Sequence, residues 1–301
     1  MLPYKVNFDY EYQLFDSHYE ISKYQKFNKE WEFLYWISGE TAPLISCRTY
    51  SADYLSFIED FTGHKPIFSN NQKFEYWVGN IEEQYKKVNS RFTSTQFATE
   101  NNFAHPLTSI NKIPDYEGDY LIKSEGGLSG RSFKKNAIPK GDYIFDPLLK
   151  RIFDFSILFV HGKAYFYQNI IDDKFQYKGT RIFNKNKFEL QTLNELYPHS
   201  TIWNDFEEKI EKIFNYYESM IPNEIWNIDS FLYEESGEVK MYLLSEVNFR
   251  KTMGYCFVKM MELFKTDKNT IEFLINPKES KGEVIQLSPE DNQFKLVLDC
   301  Y

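Results

Sequence analysis

Asp119-Tyr120-Leu121-Ile122-Lys123-Ser124-Glu125-Gly126-Gly127-Leu128-Ser129-Gly130-Arg131-Ser132 changes character halfway along. Its first five residues read as a short strand that ends on a lysine. The rest is neither a comfortable helix nor a comfortable strand. Three glycines in five positions (Gly126, Gly127, Gly130) let a backbone approach an anion closely and turn its N–H groups toward it. Lys123 adds a point charge at the same place, and Ser129, Ser132 and Arg131 add donors. The combination suits a polyphosphate. It is not a P-loop, because GxxxxGK[ST] is absent and the lysine precedes the glycines. Taken alone, such a stretch is more often a plain hairpin.

A second constellation lies farther on. Two apolar runs, Ile228 to Tyr233 and Lys240 to Val247, flank Glu234-Glu235-Ser236-Gly237 and read as a hairpin. Asp229 opens one strand and Glu246-Val247-Asn248 closes the other. Residues two apart on a strand share a face, so Glu246 and Asn248 project together, and Asp229 joins them if the strands pair. Two carboxylates and an amide carbonyl form a hard-oxygen set suited to Mg²⁺. The same alternation, continued, places Arg250 beside them as a forked donor for phosphate or carboxylate. The competing reading is a solvated hairpin face with ordinary ion pairs.

The order of these pieces resembles the ATP-grasp superfamily: Leu121-Ile122-Lys123 with Gly126-Gly127-Leu128-Ser129-Gly130, then Asp229, then Glu246-Val247-Asn248-Phe249-Arg250. The E-x-N-x-R form followed by Lys251-Thr252-Met253-Gly254 is similar to the carboxylate–amine ligase branch. The resemblance covers roughly residues 86 to 256. It implies an α+β fold of three subdomains, with the nucleotide between two α+β lobes. The expected divisions are 1–85 (a pre-ATP-grasp-like sheet), 86–146 (a lid carrying the Gly-rich loop) and 147–301 (the metal-bearing part). It implies ATP held by Lys123, Gly126, Gly127, Ser129 and Gly130, and Mg²⁺, or Mn²⁺ in its place, held by Asp229, Glu246 and Asn248. Tyr143-Ile144-Phe145-Asp146-Pro147-Leu148 occupies the position of the adenine-reading hinge, so Phe145, Asp146 and Leu148 are expected there. Arg91 stands where the family often has another phosphate-binding lysine, and Asp146 where a glutamate is more usual; both are departures. Lys123 and Arg250 are the expected catalytic cations, with Arg250 and Arg181 as substrate contacts. The implied activity is an ADP-forming ligase that joins a small-molecule or peptide carboxylate to an amine through an acylphosphate. The rivals are a small-molecule kinase and an interaction module of the same fold without turnover.

The rest of the chain sets bounds. Its 301 residues carry 35 Lys+Arg against 44 Asp+Glu, a net charge of -9, which argues against a surface built to track nucleic acid. The 28 Phe, 23 Tyr and 5 Trp are read as core packing rather than a stacking platform. Cys47, Cys256 and Cys300 are scattered and lack CxxC spacing, so neither a disulfide framework nor a thiolate zinc site is expected. The five histidines show no HxxxH or HExxH spacing, and no GxSxG elbow is present. No apolar leader opens the chain and no run approaches a membrane span, leaving a cytoplasmic location as the default and no membrane partner. A homodimer is admitted by the sequence without being indicated by it.

Local patterns predict a strand over Trp31 to Ile37 and helices over Ala52 to Phe61, Ile81 to Val88, Tyr255 to Phe264, and from Thr93 or Ser94 to Asn101. Phe206, Ile210, Ile213, Phe214, Tyr217, Met220 and Ile221 mark a helix face, with Asn204 and Glu207 as its expected capping box and Pro222 as its end.

Overall fold

The computed structural model describes residues 2–16, 18–125, 133–137, 141–183, 198 and 202–301. The Gly-rich positions Gly126, Gly127, Ser129 and Gly130 lie outside the described residues. The chain divides into two compact units, neither of them contiguous. One comprises Met1–Ile81, Lys178–Lys187 and Arg250–Tyr301; the other comprises Glu82–Tyr177 and Phe188–Phe249. Among the described residues, no helix is long and apolar enough to cross a membrane.

The second unit is built on four antiparallel strands. Glu238–Asn248 pairs with Ile225–Glu235, which pairs with Lys150–Val160, which pairs with Lys163–Ile171. Period-2 alternation gives this sheet two unlike faces. Phe153, Phe155, Ile157, Phe159, Trp226, Ile228, Leu232 and Val247 form an apolar layer. Phe97 and Ala98 of the helix Arg91–Glu100, and Phe206, Ile210, Ile213 and Tyr217 of the helix Phe206–Glu218, pack against it. Stacked rings at the centre, Trp226 on Phe249 (5.1 Å) and on Phe159 (4.3 Å), anchor that core. The opposite face carries Ser156, Asn227, Asp229, Phe231, Tyr242, Glu246 and Asn248, by register and alternation. A bulge lies between Asp229↔Glu246 and Phe231↔Tyr242, where Ser230 alone stands opposite Leu243, Leu244 and Ser245. The parity survives, so Tyr242 and Glu246 stay on one face.

A smaller antiparallel sheet of the same unit orders Ser109–Ile110, Ile144–Pro147, Tyr120–Lys123 and Phe133–Lys135. The expected hinge position thus falls on the strand Ile144–Pro147 and the residue after it.

The first unit has a short parallel set, Tyr4–Lys5 with Glu75–Tyr76 and bridges at Leu44 and Phe68. It also has an antiparallel set in which Thr270–Ile275 lies between Tyr177–Phe183 and Leu296–Cys300, with Glu283–Gln286 beyond. The helix Ala52–Thr62 starts at Ser51, whose side chain accepts from the Tyr54 N–H, and stops at Gly63 with φ 74°, as its pattern predicts. Thr252 caps the helix Met253–Leu263 in the same way.

Two local expectations are corrected. Trp31 to Ile37 is not a strand: the helix Ile21–Trp31 ends there and a short buried helix, Leu34–Ile37, follows. Phe33, Leu34, Tyr35, Trp36 and Ile37 are all buried, so the run is apolar all round, and such a run shows no period to separate helix from strand. The capping box at Asn204 does not form. The helix starts one residue later, after Asp205 in the left-handed region (φ 56°), so Glu207 falls at the second helical position instead of the third. Glu207 and Glu208 still complement the positive end of that helix.

Candidate functional site

Asp229 and Glu246 are direct cross-strand partners, and Asn227 faces Asn248 in the same register. All four side chains therefore rise from one patch of the polar sheet face. Asp229 is the hub. Its Oδ1 accepts from Ser156 Oγ (2.6 Å) and Asn227 Nδ2 (2.9 Å), and its Oδ2 accepts from Asn248 Nδ2 (3.2 Å). Asn169 Nδ2 donates in turn to Ser156 Oγ (2.6 Å), so three neighbouring strands hold one carboxylate. The far end of the Asn248 strand is fixed by Asn89, whose Oδ1 accepts the Phe249 N–H (2.8 Å).

Arg91 reaches this patch from the helix Arg91–Glu100. That helix begins ahead of the expected Thr93 or Ser94, capped by Ser90, whose Oγ accepts the Thr93 N–H. Arg91 Nε and Nη2 both donate to Glu246 Oε1 (3.0 and 2.7 Å), while Nη1 donates to the Ser124 carbonyl (3.4 Å). The Arg91 N–H donates to the Glu125 carbonyl (3.4 Å), and Ser90 Oγ to Glu125 Oε1 (2.9 Å). The two residues that lead into the Gly-rich stretch are thereby tied to the same helix end that grips Glu246.

Lys123 is buried and forms an ion pair with Asp146. The Asp146 carboxylate also accepts from Thr108 Oγ1 (2.5 Å) and from the Tyr242 hydroxyl (2.9 Å). Lys123 Nζ stands 5.9 Å from the centre of the Tyr242 ring, on the sheet face that carries Glu246. Burial, with the Asp146 charge second, pushes the Tyr242 phenol well above its ordinary value, so it remains a donor. Phe145 is wholly buried in the smaller sheet, and the Leu148 N–H already donates to the Asp119 carbonyl (2.8 Å). Asp146 and Leu148 thus have partners of their own at the expected hinge.

Two expected cations belong to the first unit. The strand ends at Asn248, so the alternation does not carry to Arg250, which belongs to the first unit and pairs there with Glu11. Arg181, also in the first unit, pairs with Glu272 on the adjacent strand. Sequence reasoning missed Arg151. Its guanidinium lies 4.1 Å from the centre of the Phe231 ring and pairs with Asp154. Burial lowers its pKa to about 10, against the pull of Asp229 and Asp146. It also missed Asn227, although the i, i+2 rule that joined Glu246 to Asn248 applies equally to Asn227 and Asp229.

The donor set fits a hard divalent cation. It consists of two carboxylates and two amides on one face, all oxygen-bearing, and the Asn227 Oδ1 is buried without a hydrogen-bond partner among the described residues. Among those residues no three His, Cys, Asp or Glu side chains gather as another metal centre.

No protein-family model matches the sequence, and no curated protein matches it. Solved structures do match. The N5-carboxyaminoimidazole synthetase of Staphylococcus aureus is 6% identical with a TM-score of 0.51, over 89% of this chain and 91% of that one. The same enzyme complexed with ADP gives 0.45 at 7% identity, over 86% and 82%. The pyruvate carboxylase of Rhizobium etli gives 0.46 at 9% identity, over 76% of this chain but only 26% of that much longer one. The chain has the ATP-grasp fold, a mixed α and β architecture, as the ordered motifs led us to expect.

Proposed function

We propose that this chain is an ATP- and Mg²⁺-dependent ligase that joins a carboxylate to an amine, with an amino acid or peptide among its substrates. The reading is carried by one observation: Asp229, Glu246 and Asn248 share a sheet face toward which Arg91 and Lys123 are brought from two other elements. ATP is consumed as a substrate. Lys123, Arg91 and the Gly126–Gly130 segment hold its phosphates, and Asp229, Glu246 and Asn248 hold the cation. Bound there, Mg²⁺ neutralises charge on the phosphate oxygens. A substrate carboxylate oxygen bonds to the γ-phosphorus as the bond to ADP breaks. The amine nitrogen then bonds to the acyl carbon, inorganic phosphate leaves, and the nitrogen loses a proton. The first step needs positioning and charge neutralisation more than acid–base chemistry. The three subdomains at 1–85, 86–146 and 147–301 belong to the same proposal. Arg250 as a catalytic cation and substrate contact and Arg181 as a substrate contact, which have Glu11 and Glu272 as partners, belong to the same proposal.

The test is ADP release by purified protein across pools of amino acids and small carboxylic acids. The wild type releases ADP, and Glu246→Gln and Lys123→Ala lose it while keeping the far-ultraviolet dichroism of the folded chain. Unchanged release in either variant defeats the assignment.

A further inference from the structure

Asn227 and Asn248 form a matched pair around Asp229. They are Cα partners on adjacent strands, and each donates its amide N–H to a different oxygen of the Asp229 carboxylate. That carboxylate fixes which end of each amide is nitrogen, so each Oδ1 is turned away from Asp229. Asn227 is 2% exposed, and its Oδ1 has no hydrogen-bond partner among the described residues. Buried carbonyl oxygens without a partner are rare, because desolvation is then uncompensated. Orienting Asp229 accounts for the Nδ2 atom of Asn227 but not for its buried carbonyl oxygen.

We propose that Asn227 is a further oxygen ligand of the cation, its Oδ1 acting beside that of Asn248 so that two amides flank Asp229. The inference rests on the reading of Asp229, Glu246 and Asn248 as the magnesium site. A neutral amide adds a ligand without adding charge. The protein set stays at two negative charges against a divalent cation, leaving the phosphate charge to Lys123 and Arg91.

Mn²⁺ binding to the full chain, followed by electron paramagnetic resonance with a non-hydrolysable ATP analogue, tests this without turnover. Asn227→Leu removes both the oxygen and the N–H; Asn227→Asp restores an oxygen but not the N–H. About a tenfold loss of Mn²⁺ affinity is expected in Asn227→Leu, with affinity recovered in Asn227→Asp. The aspartate also adds a second negative charge against Asp229, so metal-free Asn227→Asp melts lower and gains more from Mn²⁺ than the wild type does. Unchanged affinity in Asn227→Leu overturns the inference, leaving a bound water as the partner of Oδ1. Equal loss in both variants also overturns it, since the amide would then act only by orienting Asp229. A wild type that binds no Mn²⁺, with or without the nucleotide analogue, removes the magnesium reading itself.

Discussion

Lys123 is a buried ammonium, and a buried ammonium needs a counter-charge. Asp146 supplies it, under two further donors, Thr108 and Tyr242. Asp146→Asn removes that charge from beside the buried lysine. A loss of about 3 kcal/mol in unfolding free energy is expected, together with weaker nucleotide binding; denaturant titration and calorimetry measure the two. Glu272 is the corresponding case in the first unit, where Arg181, Lys281 and Tyr301 all reach its Oε1. Burial alone raises that carboxyl, but the bonds from Tyr301, Lys281 and Arg181 outweigh it and hold it below the ordinary value of 4.5. A carboxyl that titrates lower when folded stabilises fully above the unfolded value, and the effect fades as pH falls through the folded one. Glu272→Gln therefore lowers the melting temperature at pH 7 by more than at an acid pH below 4.5, where the gap to wild type narrows. Equal losses at the two pH values would contradict this. That Glu246 and Asn248 share a face was legible from period-2 spacing, and Asp229 joined them through the hairpin pairing. The cradle around Asp146 was not, because Thr108 and Tyr242 come from segments that no local pattern relates to residue 146.

The helix Arg91–Glu100 shows what a cap does beyond ending a helix. Ser90 Oγ accepts from Thr93 and donates to Glu125, so it both starts the helix and ties down the chain entering the Gly-rich stretch. Ser90→Ala should cost about 1 kcal/mol of stability and weaken nucleotide binding as well. Binding that matches wild type at equal loss of stability would limit Ser90 to its capping role. Strong alternation and capping signals made most elements readable, among them the hairpin of Ile225–Glu235 with Glu238–Asn248 and the helix Phe206–Glu218. The reading failed where the signal was absent. Trp31 to Ile37 has no polar stripe to set a period, and Ile21–Trp31 was hidden by a polar composition that says little about a helix only two of whose residues, Asn28 and Trp31, are buried.

At the scale of the whole molecule, the first unit is assembled from the first 81 residues, a ten-residue excursion and the last 52, a closure no local pattern announces. The strand Leu296–Cys300 is buried throughout and pairs on both sides, so deleting residues 296–301 should unfold that unit and expose it to limited proteolysis. The ATP-grasp architecture was legible because its motifs occur in order over long separations, even at 6% identity to a structure of that fold. The net charge of -9 gives no help to a polyphosphate. At the Asp229 face Lys123, Arg91 and Arg151 stand against Asp146, Glu246, Asp154 and Asp229, so nucleotide binding there is expected to contrast sharply with and without an added divalent cation. That contrast is open to direct measurement by calorimetric titration of the full chain with a non-hydrolysable ATP analogue, with Mg²⁺ and then with chelator. Saturable one-to-one binding that requires Mg²⁺ and is lost in Lys123→Ala and Glu246→Gln is predicted. No binding, or binding indifferent to the metal and to both substitutions, would contradict a magnesium-nucleotide site on this sheet face.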